Sequence, residues 1–189
     1  MVPVHDARPT LPALVDALAG QSAPGGFEVL FVDDGSSDGS AEWLAGRCEG
    51  RPGWRVLRQP QQGPAAARNR GLAESTGNVV AFTDSDCAPD PGWVEAIAAA
   101  FAPDPALVGL EGPTYTSPPA RSPFDHFQDL PEGGFWATCN VAYRRAPLVD
   151  LGGFDPRFPY GHEDTELAIR ARRLGPLRFE PAMRVNHPP

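Results

Sequence analysis

Apolar residues at Leu11, Leu14, Val15 and Leu18 recur at helical spacing and predict an amphipathic helix over Leu11–Gln21. Phe27-Glu28-Val29-Leu30-Phe31-Val32 follows as a strand that stops at Asp33-Asp34-Gly35-Ser36-Ser37. Next come a helix from about Ser40 to Cys48, a strand over Trp54–Leu57, and an alanine-rich helix from Gly63 to Ser75 closed by Gly77. Val79-Val80-Ala81-Phe82 reads as a buried strand running into Asp84, with a helix behind it from Pro91 to Phe101. Ahead of all these, Met1-Val2-Pro3-Val4 reads as the end of a strand. Strands separated by helices of this length imply parallel, right-handed β-α-β units in an open, doubly wound sheet. Ligands of such sheets bind beyond the carboxyl ends of the strands, which is where Asp33, Asp34, Asp84 and Asp86 fall.

The second half is less regular. Ala102–Gly134 is rich in proline and has no long periodic run, so strand fragments and a mobile loop are expected there. Phe135–Tyr143 reads as a strand and Arg144–Leu151 as a short helix. A last helix opens at Glu163, with Leu167, Ala171 and Leu174 on one face and an i, i+4 pair between Glu166 and Arg170.

The chain has 189 residues, enough for one domain with a sizeable core. All of its basic residues are arginine, a bias that GC-rich coding accounts for. The absence of lysine still excludes a P-loop or Schiff-base lysine. A net charge of −8 leaves no footprint for nucleic acid or anionic lipid. Cys48, Cys87 and Cys139 lack metal-ligand spacing and read as free, reduced thiols in a cytoplasmic setting. No apolar run is long enough to span a membrane.

Chemistry concentrates in a few places. Asp84 and Asp86 are spaced i, i+2, so in an extended backbone both leave the same side while Ser85 points away. Such a pair repels unless a cation sits between them, and it suits a hard divalent ion such as Mg²⁺ or Mn²⁺; the alternative is a solvated polar turn. Glu163-Asp164 at a helix start fits a general base, or the ordinary preference of acids for that position. His187 is either a further metal ligand or structurally idle, and His5, His126 and His162 read as idle. Arg68, set among alanines, faces either the sheet, serving a phosphate, or solvent.

Taken together, VLFVDDGSSDGS (29–40), GPAAARNRGL (63–72), GNVVAFTDSD (77–86), CNVAYRR (139–145), LGGFDPRF (151–158), GHEDTELAIR (161–170) and VNH (185–187) follow one order and spacing. In this the chain resembles family 2 glycosyltransferases of the GT-A fold, and the resemblance covers nearly its whole length. It implies an α/β fold: a single GT-A domain over 1–189, with a Rossmann-like, mostly parallel sheet flanked by helices and a mixed C-terminal part. Residues 1–101 would be the nucleotide-binding half and 102–189 the acceptor-binding and catalytic half.

The resemblance also implies roles. Asp34 would bond a uracil-type base, Pro3 and Val4 would supply backbone contacts, and Asp33 would support the turn. Arg68 would contact base or phosphate and Asp84 the ribose. Asp86 and His187 would hold Mn²⁺ or Mg²⁺. Asp164 would be the catalytic base, Glu163 would help to place the acceptor, and Asn140 would lie near the donor sugar. Trp136, with Phe124, Phe127 and Phe135, either stacks on a sugar or belongs to the core. The implied reaction is inverting transfer from a nucleotide-diphosphate sugar, UDP first, to a saccharide or lipid-linked hydroxyl acceptor. The implied setting is polysaccharide or cell-envelope glycan synthesis, in the cytoplasm or peripherally at the inner face of the membrane. Relatives usually carry a longer first strand, and many continue past the His187 equivalent. The competing reading is a degenerate domain that binds a nucleotide sugar or partner without turnover. A dinucleotide-binding dehydrogenase is excluded because no G-x-G-x-x-G follows a strand.

Overall fold

The structure, a computed structural model, describes residues 1–117, 129–158 and 161–189. In chain order it runs β1 (Val2–Val4), α1 (Leu11–Ala19), β2 (Val29–Asp34), α2 (Ser40–Cys48), β3 (Trp54–Gln59), α3 (Pro64–Glu74), β4 (Val79–Phe82), β5 (Ala88–Pro89) and α4 (Trp93–Phe101). Then follow β6 (Gly109–Glu111), β7 (Thr114–Tyr115), β8 (Val141–Arg144), α5 (Arg145–Asp150), α6 (Glu163–Ala171), β9 (Leu177–Phe179) and β10 (Val185–Asn186).

Strands β1, β2 and β3 form a parallel sheet with β2 in the middle. A mixed sheet of order β4-β8-β6-β9 continues it, since β8 runs antiparallel to both β4 and β6 while β9 lies parallel to β6. Met1 joins the two: its amine donates to the Ala81 carbonyl at 2.8 Å, and the Thr83 N–H donates to the Met1 carbonyl at 3.3 Å. Burial drives that amine's pKa down to about 5. A third small sheet, β5-β10-β7, crosses the carboxyl side.

Strict alternation explains why β4 and β8 are buried on both faces. Val80, Phe82, Val141 and Tyr143 meet α3, α5 and α6, while Val79, Ala81 and Ala142 meet α4. On the first sheet, Leu11, Leu14, Val15 and Leu18 of α1 pack on Val2, Val4, Val29 and Phe31, as their spacing predicts.

Several boundaries move. The Asp33-Asp34 pair lies inside β2 rather than after it. β4 stops at Phe82, short of Asp84, because the chain turns there: the Cys87 N–H bonds the Asp84 carbonyl at 3.2 Å. The alanine-rich helix ends at an extended Ser75, so Gly77 is not its cap. Phe135–Tyr143 is not one strand, because a 3₁₀ turn at Thr138–Asn140 precedes β8. α6 ends at Ala171, leaving Leu174 half exposed off the predicted face. Phe124, His126 and Phe127, with the rest of residues 118–128 of the predicted loop, lie outside the described residues.

Candidate active site

A cleft of about 400 Å³ opens at the carboxyl ends of β1, β2 and β4. Pro3 and Val4 form part of its floor, Asp34 and Gln61 one end, Arg68 and Asp84 the middle, and Asp86 and His187 the other end. A larger apolar cavity of about 610 Å³, between α1, α4 and the amino ends of β2 and β4, contains none of the predicted site residues.

At the first end, Asp34 organises the loop between β3 and α3. Its Oδ1 accepts Gln59 Nε2 and the Gln62 N–H, both at 2.8 Å, and its Oδ2 accepts the Gly63 N–H at 2.7 Å. A carboxylate has about four acceptor positions, so Oδ2 retains capacity for one further donor. Asp33, its neighbour, points to the opposite face as strand alternation requires; it is buried outside the cleft, with Oδ1 unpartnered among the described residues. His5, which reads as idle in sequence, lines the cleft. Its Nδ1 lies 2.9 Å from the Asp34 carbonyl and must donate there, which leaves Nε2 to accept from Gln61 Nε2 at 3.0 Å. Nothing in the spacing of the first residues signals this, because the partner lies on another strand.

Arg68 sits on the buried face of α3, between Ala65 and Leu72 at i−3 and i+4. Its guanidinium bridges two carboxylates, Nη1 to Glu163 Oε1 at 2.6 Å and Nη2 to Asp84 Oδ1 at 2.9 Å. It also lies 5.7 Å from the Phe154 ring centre. Burial opposes the charge, but Asp84 and Glu163 outweigh it and raise the arginine's pKa. The cation that the Asp84–Asp86 pair requires is therefore present for Asp84, and it is an arginine. Arg68 Nε and Glu163 Oε2 remain buried without partners among the described residues.

Asp86 is the freer carboxylate, with about half its side chain exposed. His187 is buried beyond β10, its Nε2 3.7 Å from Asp86 Oδ1. Donor atoms of Asp86, Cys87 and His187 lie within 4.8 Å of one another. Oxygen and imidazole donors fit Mn²⁺ well and Mg²⁺ acceptably. The Cys87 thiol is pushed far up by its hydrogen bond with Cys139, by burial and by the adjacent aspartates, so it stays protonated in the core.

Across the Arg68 bridge, Glu163 and Asp164 open α6 behind His162, whose φ of 72° turns the chain sharply into the helix. Asp164 Oδ1 accepts the Thr165 N–H at 2.7 Å. Asn69 and Phe154 lock the preceding turn to α3 through reciprocal bonds of 2.7 and 2.8 Å. At Gly153, φ is 72° and any Cβ would fall 2.2 Å from Asn69 Oδ1, so glycine is required there.

Two further predicted residues, like Asp33, lie outside the cleft. Asn140 is buried under the small sheet, accepting Trp93 Nε1 at 2.9 Å and spending both amide hydrogens on the Met183 and Pro113 carbonyls. Trp136 is a core residue whose ring packs near Tyr143, while Phe135 beside it is 55% exposed.

Comparison with known proteins bears on this arrangement. The model of the family described as "Glycosyl transferase family 2" matches residues 1–148. A pre-mycofactocin glycosyltransferase of Mycobacterium tuberculosis is 33% identical over 207 aligned residues, covering 99% of this chain and 42% of that protein. Probable glycosyltransferase YdaM of Bacillus subtilis is 29% identical, covering 96% and 48% respectively. The chain thus spans less than half the length of these relatives. Among solved structures, S. aureus TarS 1-349 in complex with UDP superposes with a TM-score of 0.83 at 20% identity, over 100% of this chain and 59% of that one. Mannosyltransferase PcManGT from Pyrobaculum calidifontis, in complex with GDP-Man and Mn²⁺, gives 0.79 at 21% identity, over 98% and 55%.

Proposed function

The chain belongs to glycosyl transferase family 2, and from that premise we propose that it moves a sugar from a nucleoside-diphosphate donor, UDP-linked in the first instance, to a hydroxyl acceptor with inversion. One observation carries the reading. A single cleft brings together a carboxylate with a vacant acceptor position at Asp34, an Arg68–Asp84 centre, and an oxygen–nitrogen pair at Asp86 and His187. Neither Glu163 nor Asp164 lines that cleft; Glu163 is tied to it through Arg68, and Asp164 is the next residue of α6. The solved relatives with UDP and with GDP-Man and Mn²⁺ support a nucleotide donor and a divalent ion.

In this reading the nucleoside lies along Pro3, Val4 and Asp34, with the base N–H donating to Asp34 Oδ2. Asp84, anchored by Arg68, takes the ribose. Asp86 and His187 would hold Mn²⁺ or Mg²⁺, whose charge offsets that developing on the leaving diphosphate. The acceptor oxygen forms a bond to the anomeric carbon as the bond from that carbon to the diphosphate breaks. The diphosphate departs with the electron pair, and the hydroxyl proton passes to Asp164. Asp164 stands in the first turn of α6, and a carboxylate there can act as a general base. One base and a single displacement give inversion.

The test is calorimetric and thermal-shift binding of UDP-, GDP- and dTDP-sugars with and without Mn²⁺, followed by turnover of the best donor. Binding of one nucleotide class, strengthened by Mn²⁺ in the wild type but not in Asp86→Ala, is expected. Binding that ignores both metal and Asp86 would overturn the site assignment, and binding without any turnover would point to the degenerate domain.

A further inference from the structure

Glu111, the last residue of β6, is buried, and none of the donor-site chemistry uses it. Its carboxylate accepts three consecutive backbone N–H groups: Gly134 on Oε2 at 2.6 Å, and Phe135 and Trp136 on Oε1 at 2.9 and 2.6 Å. Such charge-assisted bonds are what make a buried carboxylate tolerable, and they fix whatever backbone supplies them. That backbone is unusual. Gly134 has φ 116°, and Trp136 has φ 59°, a left-handed conformation that a bulky residue adopts only when its surroundings impose it. Glu111 thereby turns the Trp136 ring into the core and leaves the Phe135 ring outside.

The Phe135 carbonyl faces α6. It lies 3.5 Å from the Thr165 hydroxyl, which is also 3.3 Å from Asp164 Oδ1. A hydroxyl has one proton to donate. The position of the Phe135 carbonyl therefore decides how Thr165 divides that proton between the loop and Asp164. Burial, then the charges of Glu111 and Asp164, push the Tyr143 phenol upward.

We propose that Glu111 is a positioning residue for the catalytic base: by clamping residues 134–136 it sets the Phe135 carbonyl against Thr165 and so orients the Asp164 carboxylate. The proposal rests on the reading of Asp164 as the base. Transfer of the sugar to water requires the base but no identified acceptor, so hydrolysis of the best UDP-sugar by the full chain with Mn²⁺ is the assay. In Glu111→Gln the amide presents an NH₂ to N–H donors, and kcat is expected to fall about tenfold or more while UDP affinity by calorimetry stays unchanged. Thr165→Val should give a similar fall and Thr165→Ser should restore activity. The Glu111→Gln/Thr165→Val double variant should be no slower than the worse single variant, because both act through one contact.

Wild-type kcat in Glu111→Gln, additive effects in the double variant, or a parallel loss of UDP binding would each overturn the role. If Glu111→Gln does not fold, the Thr165 pair decides, and unchanged kcat in Thr165→Val is then the refuting result. Failure of the underlying reading looks different: no hydrolysis by the wild type, or undiminished hydrolysis by Asp164→Asn. An inactive Asp164→Asn beside a fully active Glu111→Gln removes only the role of Glu111.

Discussion

Replacing Arg68 with methionine removes the cation that joins Asp84 to Glu163 and leaves Glu163 buried without a partner among the described residues. The Arg68 side chain is 5% exposed and that of Glu163 6%, so this ion pair is a buried one; Asp84, at 30%, is partly solvated and contributes less. Removing one partner of a buried pair typically costs about 3–5 kcal/mol, most of it the penalty of the stranded charge. Methionine fills much of the vacated volume, so the cavity contribution stays small. The expected loss is therefore about 3 kcal/mol, read as a lower urea midpoint at unchanged m. At about 2–4 °C per kcal/mol for a chain of this size, the melting temperature should drop by roughly 10 °C.

The charge argument has a second signature. In the variant the Glu163 charge is buried without compensation, so adding Glu163→Gln to Arg68→Met should recover part of the loss at pH 7. A deficit below about 1 kcal/mol, or no recovery in the double variant, would refute the reasoning.

Other consequences are equally direct. Asp34→Ala releases the Gln59, Gln62 and Gly63 donors together and should weaken UDP binding at least tenfold, seen by calorimetry; unchanged affinity would exclude Asp34 from the nucleoside end. Asn140→Ala strands the Trp93 indole N–H and two carbonyls, so about 2–3 kcal/mol should be lost in urea titration, with UDP affinity preserved. Glu28 loses solvation, which raises its pKa, but bonds from Thr76, Gly77 and Arg55 bring it below the ordinary value. Its stabilising effect should therefore be present above the unfolded carboxylate pKa and disappear as pH falls through the lower folded value. Glu28→Gln should accordingly lower the melting temperature at pH 7 and not at pH 3; a pH-independent difference would contradict this.

Much of the scaffold can be read from one-dimensional patterns. The i, i+3, i+4 apolar spacing places α1 and α6, and the two-sided apolar run 79–82 announces a strand buried on both faces, because periodicity is a local property of the chain. That Asp34, Asp84 and Asp86 fall on one edge is legible for a related reason, whereas His187 follows β10 of the separate small sheet. Strand ends in a parallel sheet share one edge, so residues far apart in sequence are collected there by topology alone.

What tertiary structure decides is partnership. Spacing shows that Arg68 is set among alanines, but only folding brings Glu163, nearly a hundred positions away, to the other side of its guanidinium. It shows two aspartates in need of a cation, but not that a turn at residue 84 separates them, so that one is held by arginine and the other left open. Asn140 and Trp136 carry the same residue types whether they meet a ligand or the core; burial places both in the core, and for Asn140 hydrogen-bond saturation does so as well. Glu111 has no local signal at all. Its donors are the backbone amides of residues 134–136, and a backbone amide is the same in every sequence.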